Sequence, residues 1–391
     1  MADILRSYSH RELWRSDMNS IPCVIMRGGT SRGPFIRMKD LPSDQAQQAD
    51  ILLSLMGSGH ALQIDGIGGG DPLTSKVAIV ERSSHPDADV DYLFAQVDVV
   101  NKRVDFNPNC GNMLSAVGPY AIETGLVEPQ DGTTVVKVHN LNTQRLIECH
   151  VPTPGKQVQY EGSVTISGVP GSAAGIQLSF LDIMGSKTGQ LLPTGNACDE
   201  IDGVEVSCID AATPIMLLRA ESVGLTGHES PVELDNNAAL LTRLETLRRE
   251  AGRRMGMGDV SQSVLPKVVL ISAAEAASHT LNVRYFVPHR CHKAIAVTGA
   301  MAVVAAINVP GSIANHMAMS THKLSAGQLL SQIVLEHPSG SIELTAEYRQ
   351  QNAFDLARVS LIRTARKIMS GQIFYATPPK KVGQHVIETV D

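Results

Sequence analysis

One order of segments occurs twice in this chain, and that repetition limits the fold more than any single motif does. The first pass opens with a strand over Ile21 to Met26, a turn Arg27-Gly28-Gly29-Thr30-Ser31-Arg32-Gly33 and a strand over Pro34 to Arg37. A helix follows from Gln45 to Met56, closed by Gly57, then an apolar strand led by Ser75-Lys76, strands over Val90 to Val99 and Val104 to Phe106, and a helix from Cys110 to Thr124. A hairpin of Thr133 to His139 and Leu146 to Val151 ends it. The second pass has strands over Val204 to Ile209 and Pro214 to Ala220, a helix from Asn236 to Gly252, a strand Val264 to Ile271 containing Lys267, and a strand Leu281 to Val287. It then enters Pro288-His289-Arg290-Cys291-His292 and an apolar helix to Asn308, and ends with a hairpin over Ile333 to Tyr348. Between the passes, Gln157 to Ser163 and Ala174 to Phe180 read as further strand, and the breaker Gly185-Ser186-Lys187-Thr188-Gly189 marks the boundary. The expectation is an α+β protein with a domain over 20–188, a second over 189–391, and an arm over residues 1–19.

Each unit would wrap strands around one apolar helix and bring two helix N-termini to a shared cleft. Clefts between domains favour ligands, and helix N-termini favour anions. Asn109 reads as the cap of the first helix, with Cys110 on its first turn and Pro119 kinking or splitting it. Unpaired N–H groups there can make a thiol acidic enough for chemistry; a buried structural cysteine is the other reading. Arg27 and Arg32 beside exposed N–H groups suit a carboxylate, or a plain solvated turn.

The glycine-rich run Gly66-Ile67-Gly68-Gly69-Gly70 leads through Ser75-Lys76 into a strand rather than a helix, so neither phosphate-loop order is met. Lys76 is either a strand-end lysine reaching for solvent or, if burial lowers its basicity, a base. His289-Arg290-Cys291-His292 lacks a complementary ligand cluster, so no metal is expected, and there is no G-x-S-x-G elbow for a hydrolase. The net charge is −6 without a run of one sign, which argues against nucleic acid, and aromatic content is 4%. The longest apolar stretch, Ala294 to Val309, is too short to cross a bilayer. Six scattered cysteines without C-x-x-C spacing point to a reducing, cytoplasmic setting.

Met26-Arg27-Gly28-Gly29-Thr30-Ser31, Asp71-Pro72-Leu73-Thr74-Ser75-Lys76, Asn109-Cys110-Gly111-Asn112, Leu192-Pro193-Thr194-Gly195-Asn196 and Pro288-His289-Arg290-Cys291-His292 together resemble the PrpF family, in family order from about Ile21 to Leu361. Within it the chain is most similar to the 4-oxalomesaconate tautomerases. The resemblance implies a diaminopimelate-epimerase-like fold and a cofactor-independent isomerase that shifts a proton across an allylic system of an unsaturated tricarboxylate in aromatic-acid catabolism. It implies Lys76 and Cys110 as the two proton carriers, in either order. The substrate cradle would comprise Arg27, Thr30, Ser31, Ser75, Gly111 and Asn112, with His289, Arg290 and Cys291 from the second half. The alternatives are cis–trans isomerisation of 2-methylaconitate and a non-catalytic carboxylate-binding or accessory protein; a homodimer is also expected. Arg32 departs from the lysine common in the family, Gly70 from alanine, and residues 1–19 extend beyond the usual start.

Overall fold

Lys76 to Val80 are five consecutive buried residues, the mark of a strand covered on both faces, while Gly132 to Asn140 alternate, with Thr134, Val136, Val138 and Asn140 turned inward. The protein is described by a computed structural model over residues 18–287, 289–322, 329–349 and 356–376. The expected arm lies almost wholly outside the described residues, as does the tail from Gly383.

The first half contributes β1 (Asn19–Gly28), β2 (Ser31–Arg37), β3 (Lys76–Arg82), β4 (Val90–Val97), β5 (Val104–Asp105), β6 (Gly132–Asn140), β7 (Arg145–Thr153) and β8 (Ile176–Leu181). The second contributes β9 (Asp199–Ile201), β10 (Val204–Ala211), β11 (Thr213–Arg219), β12 (Lys267–Ser272), β13 (Leu281–Tyr285), β14 (Gln332–His337), β15 (Gly340–Tyr348), β16 (Leu356–Arg363) and β17 (Ala365–Tyr375). The pairing repeats strand for strand. In the first half β1 and β2 are antiparallel, β2 and β3 parallel, β3 and β4 antiparallel, β4 and β6 parallel, and β6 to β8 an antiparallel meander. In the second, β10 and β11 are antiparallel, β11 and β12 parallel, β12 and β13 antiparallel, β13 and β14 parallel, and β14 to β16 an antiparallel meander. The two meanders join where β8 pairs antiparallel with β16.

Two further facts amend the sequence reading. β17 runs antiparallel to β1 along its whole length, from Asn19↔Tyr375 to Gly28↔Ala365, so the last described strand of the chain lies with the first half. Gln157 to Ser163 form no strand; they are irregular chain after the turn at Pro154–Lys156.

The helices are α1 (Gln45–Met56), α2 (Gly111–Leu114), α3 (Val117–Glu123), α4 (Pro231–Asp235), α5 (Ala238–Arg254), α6 (Val297–Asn308) and α7 (Ile313–His322). One continuous core holds α2 and α3 from the first half with α6 and α7 from the second, including Met113, Val117, Met301 and Val304. Separate cores lie under α1 and under α5 on the outer faces. The helix expected over 110–124 is split: the proline ring clashes with the carbonyl four residues back, here Ser115, so the chain breaks at Ser115-Ala116 and Pro119 sits in the first turn of α3. Asp44 caps α1 through the N–H of Gln47, and Gly57 ends it at a φ of 67°.

Candidate active site

Lys76 is the first residue of β3, directly across from Gln96 of β4. Its ammonium donates to Gln96 Oε1 at 2.6 Å and stands 5.1 Å from the centre of the Phe94 ring, while Gln96 Nε2 donates to the Ser75 carbonyl at 2.9 Å. A Cβ on Gly33 would fall 1.8 Å from the Lys76 carbonyl oxygen, so the approach of β2 to the lysine needs glycine there.

Cys110 is the N-cap residue of α2, with φ −132° and no side-chain bond to the first turn. It is 8% exposed, and its carbonyl accepts from Leu114 N–H at 3.1 Å and Tyr92 O–H at 3.3 Å. The expected cap, Asn109, is engaged elsewhere: its Oδ1 accepts from Asn140 Nδ2 at 2.7 Å. Asn112 packs on the Gly28-Gly29 turn, where any side chain at Gly29 would strike it, and donates to Thr30 Oγ1 at 3.1 Å. That contact explains the paired glycines.

Lys76 and Cys110 both line a cavity of about 370 Å³ between the halves. Thr30, Ser31, Gly111 and Asn112 are part of its first wall, and the second includes the run from His292 through Lys293 to Thr298, with His337 and Arg363. Ser31 is 2% exposed and its Oγ has no hydrogen-bond partner. Helix α6 begins in the opposite wall behind Ala296, whose side chain cannot cap it, so uncapped helix ends enter the cavity from both sides. A neutral histidine pair joins them. His292 Nδ1 accepts from Ala294 N–H at 2.9 Å and His337 Nδ1 from Ser339 N–H at 3.2 Å, which leaves the ring proton of each on Nε2. Burial, with Lys76 and Lys267 nearby, lowers the His292 pKa, and burial followed by Arg363 pushes that of His337 down to about 4. The cavity thus holds two lysines (Lys76 and Lys293), an arginine, a thiol, a free hydroxyl and neutral N–H donors, enough for proton transfer beside a developing oxyanion.

Several residues expected in the cradle lie outside this cavity. Arg27 turns away and donates to the carbonyls of Gly29 (2.8 Å) and Thr364 (3.1 Å) and to Thr364 Oγ1 (3.0 Å). Ser75 is fully buried, accepting from Gln63 Nε2 and donating to the Val97 carbonyl. His289 lines a larger surface groove of about 950 Å³ along α5, 3.9 Å from Glu245, and Arg290 is exposed. By its place in the sequence, shortly before the apolar helix, Cys291 is the apparent counterpart of Cys110. The chain makes a bridge from Cys291 to Phe286 and runs on to Ala296 before the helix starts, so Ala296 is the positional counterpart of Cys110. Cys291 instead joins the core under α5, its N–H bonded to Asp235 at 2.7 Å and its pKa pushed up to about 12 by burial.

His292, His337 and Arg363 were not assigned from sequence. His292 belongs to the Pro288-His289-Arg290-Cys291-His292 motif, whereas His337 and Arg363 lie in a turn and at a strand end with no local signal. No group of three His, Cys, Asp or Glu side chains among the described residues is arranged to hold a metal ion. Among them, too, no single helix is long and apolar enough to cross a membrane.

Residues 18–376 match the family described as PrpF protein. The chain is 51% identical over 357 residues to "Putative isomerase YbhH" of Escherichia coli (strain K12), across 91% of this chain and 99% of that one. It is 46% identical over 353 residues to the 4-oxalomesaconate tautomerase of Pseudomonas putida, across 90% of this chain and 95% of the relative. The crystal structure of a methylitaconate-delta-isomerase superposes with a TM-score of 0.80 at 35% identity, covering 92% of this chain and 96% of the other. Its fold is the diaminopimelate-epimerase-like one, in which two pseudo-symmetric halves enclose the cavity. With matches of this length from both sequence and structure, the chain belongs to the PrpF family of isomerases.

Proposed function

We propose that the protein catalyses a 1,3-allylic proton shift in an unsaturated tricarboxylate, with 4-oxalomesaconate as the substrate and Lys76 and Cys110 as the two proton carriers. The observation that carries this reading is that Lys76 and Cys110 open onto one cavity that also holds the unpartnered Ser31 hydroxyl. The relative at 46% identity named 4-oxalomesaconate tautomerase supports the choice of substrate.

In the proposed reaction one carrier removes a proton from a carbon acidified through the conjugated keto and carboxylate groups. The C–H electron pair becomes the new double bond and charge moves onto a substrate oxygen. Ser31 O–H, the N–H groups opening α6 and the Nε2–H donors of His292 and His337 are the available stabilisers of that charge. The second carrier then delivers a proton two carbons away, and solvent resets both groups. The two carriers divide the work by position, and neither the charge nor the atom count of the substrate changes.

Turnover in D₂O with 4-oxalomesaconate and with 2-methylaconitate tests the reading. The expected result is isomerisation of the former with solvent deuterium incorporated. Preference for 2-methylaconitate would keep the chemistry and replace the substrate; turnover of neither by folded protein would overturn the proposal.

A further inference from the structure

Arg363 is the last residue of β16 and forms part of the second-half wall of the cavity. The one hydrogen bond its side chain makes among the described residues is from Nη1 to the carbonyl of its neighbour Ile362, at 3.0 Å. No ion pair to it occurs among the described residues; Glu148 and Glu347, the carboxylates nearest the strand's other arginine, are taken by Arg358. Glu343 and Glu347 line an adjoining groove of about 660 Å³ that Arg363 also borders, without reaching it. His337, beside it, is neutral at pH 7. Part of the Arg363 surface opens to the cavity, yet enough protein surrounds it that burial lowers its pKa to about 10, which leaves it charged at neutral pH. A guanidinium held in this way without a counter-charge destabilises the empty protein and is relieved when an anion arrives.

A second, independent feature points to the same ligand: the buried Ser31 hydroxyl across the cavity also lacks a partner. A third explains how the arginine is held. Thr364, the next residue, receives Gly29 N–H at 2.8 Å and the Arg27 guanidinium, so the corner between β16 and β17 is clamped to the first-half hairpin.

We propose that Arg363 binds a carboxylate of the substrate and sets the preference for tricarboxylic over dicarboxylic acids, with Arg27 as the positioning residue that fixes the corner behind it. The inference rests on the polycarboxylate reading above and adds the residue that recognises the extra acid group. A planar fork of N–H donors suits that group geometrically.

The test is calorimetric binding of two unreactive saturated acids, tricarballylate and glutarate, to wild type, Arg363→Gln, Arg363→Lys and Arg27→Gln, with melting of each protein free of ligand. Wild type is expected to favour tricarballylate. Arg363→Gln should weaken tricarballylate about 100-fold, as for loss of a charge-assisted pair, and glutarate less than about threefold. Arg363→Lys should recover part of the loss. Without ligand, Arg363→Gln should melt no lower than wild type, because a half-buried charge without a counter-charge has been removed. Arg27→Gln should weaken tricarballylate in part, and combining it with Arg363→Gln should add little, as for two residues acting through one contact. Unchanged tricarballylate affinity in Arg363→Gln would overturn the proposal, and so would equal loss of both acids with a lowered melting temperature, the signature of a structural arginine. Since neither acid turns over, failure of the proposed reaction would register in the isotope experiment alone.

Discussion

Ser179 of β8 and Ser360 of β16 stand opposite each other with their hydroxyls 2.8 Å apart, fully enclosed at the seam between the two halves. Antiparallel pairing of equivalent strands places this pair at the centre of the pseudo-twofold relation, where each half meets its own counterpart. Gln177 Nε2 also donates to Ser179, at 3.2 Å. Replacing one serine by alanine leaves the other hydroxyl buried without its partner, so Ser179→Ala should cost about 1–3 kcal/mol in urea unfolding. The double variant Ser179→Ala/Ser360→Ala should lose much less than the sum of the two single losses, because neither hydroxyl is then left stranded.

Lys76→Ala and Cys110→Ser should each reduce kcat by about 100- to 10,000-fold, the usual range for losing a proton-transfer group, with unfolding midpoints close to wild type. Deuterium wash-in without net conversion in one variant would separate the abstracting group from the returning one. Activity near wild type in either would remove that residue from the mechanism.

The strand spacing beside the lysine can be probed through Gly33. Its replacement by alanine sets a Cβ 1.8 Å from the Lys76 carbonyl oxygen, which forces β2 and β3 apart. Gly33→Ala should therefore lose activity and several kcal/mol of stability, as other changes that overpack a rigid core do. Gly125→Ala is the comparison: it has a positive φ of 69° but nothing within 4 Å of the new carbon, so its loss should be about 1 kcal/mol and its activity unchanged.

His337 supplies a pH signature. Burial first, and Arg363 second, hold its pKa at about 4 against an ordinary 6.5. The unfolded chain therefore takes up a proton that the folded protein refuses between about pH 6.5 and pH 4. Stability should fall as pH drops through that window and be unaffected by this group above it. In His337→Gln the fall between pH 7 and pH 4.5 should shrink. An NMR titration should find the His337 pKa higher in Arg363→Gln than in wild type.

The repeat was legible because it is written in local signals: hairpin turns, Gly57 closing α1, and apolar runs bounded by breakers. Part of the lining of the candidate site was legible too. Lys76 opens an apolar strand and Cys110 opens a buried helix, so each announces itself within a few residues. Arg27 misled because a guanidinium beside glycines looks like a carboxylate cradle, and its acceptor, Thr364, is 337 positions away. Cys291 misled because sequence order cannot say how much irregular chain separates a strand from its helix. Arg363 and His337 reach the cavity only through the long-range pairing of β14, β15 and β16, which leaves no pattern in their neighbours.

The partner of β1 is β17 and that of β10 is β9, and this asymmetry disappears if the described strands are read as a cycle. Going round from β17, the order β17, β1 to β8 is followed by β9, β10 to β16, two units of the same plan placed end to end. The protein is thus topologically a ring of two repeats, with the opening falling between a strand and the neighbour it pairs with. Asn19 and Tyr375 are cross-strand partners, so a short linker between them and a new opening in the 185–189 turn would give a circular permutant in which each repeat is contiguous along the chain.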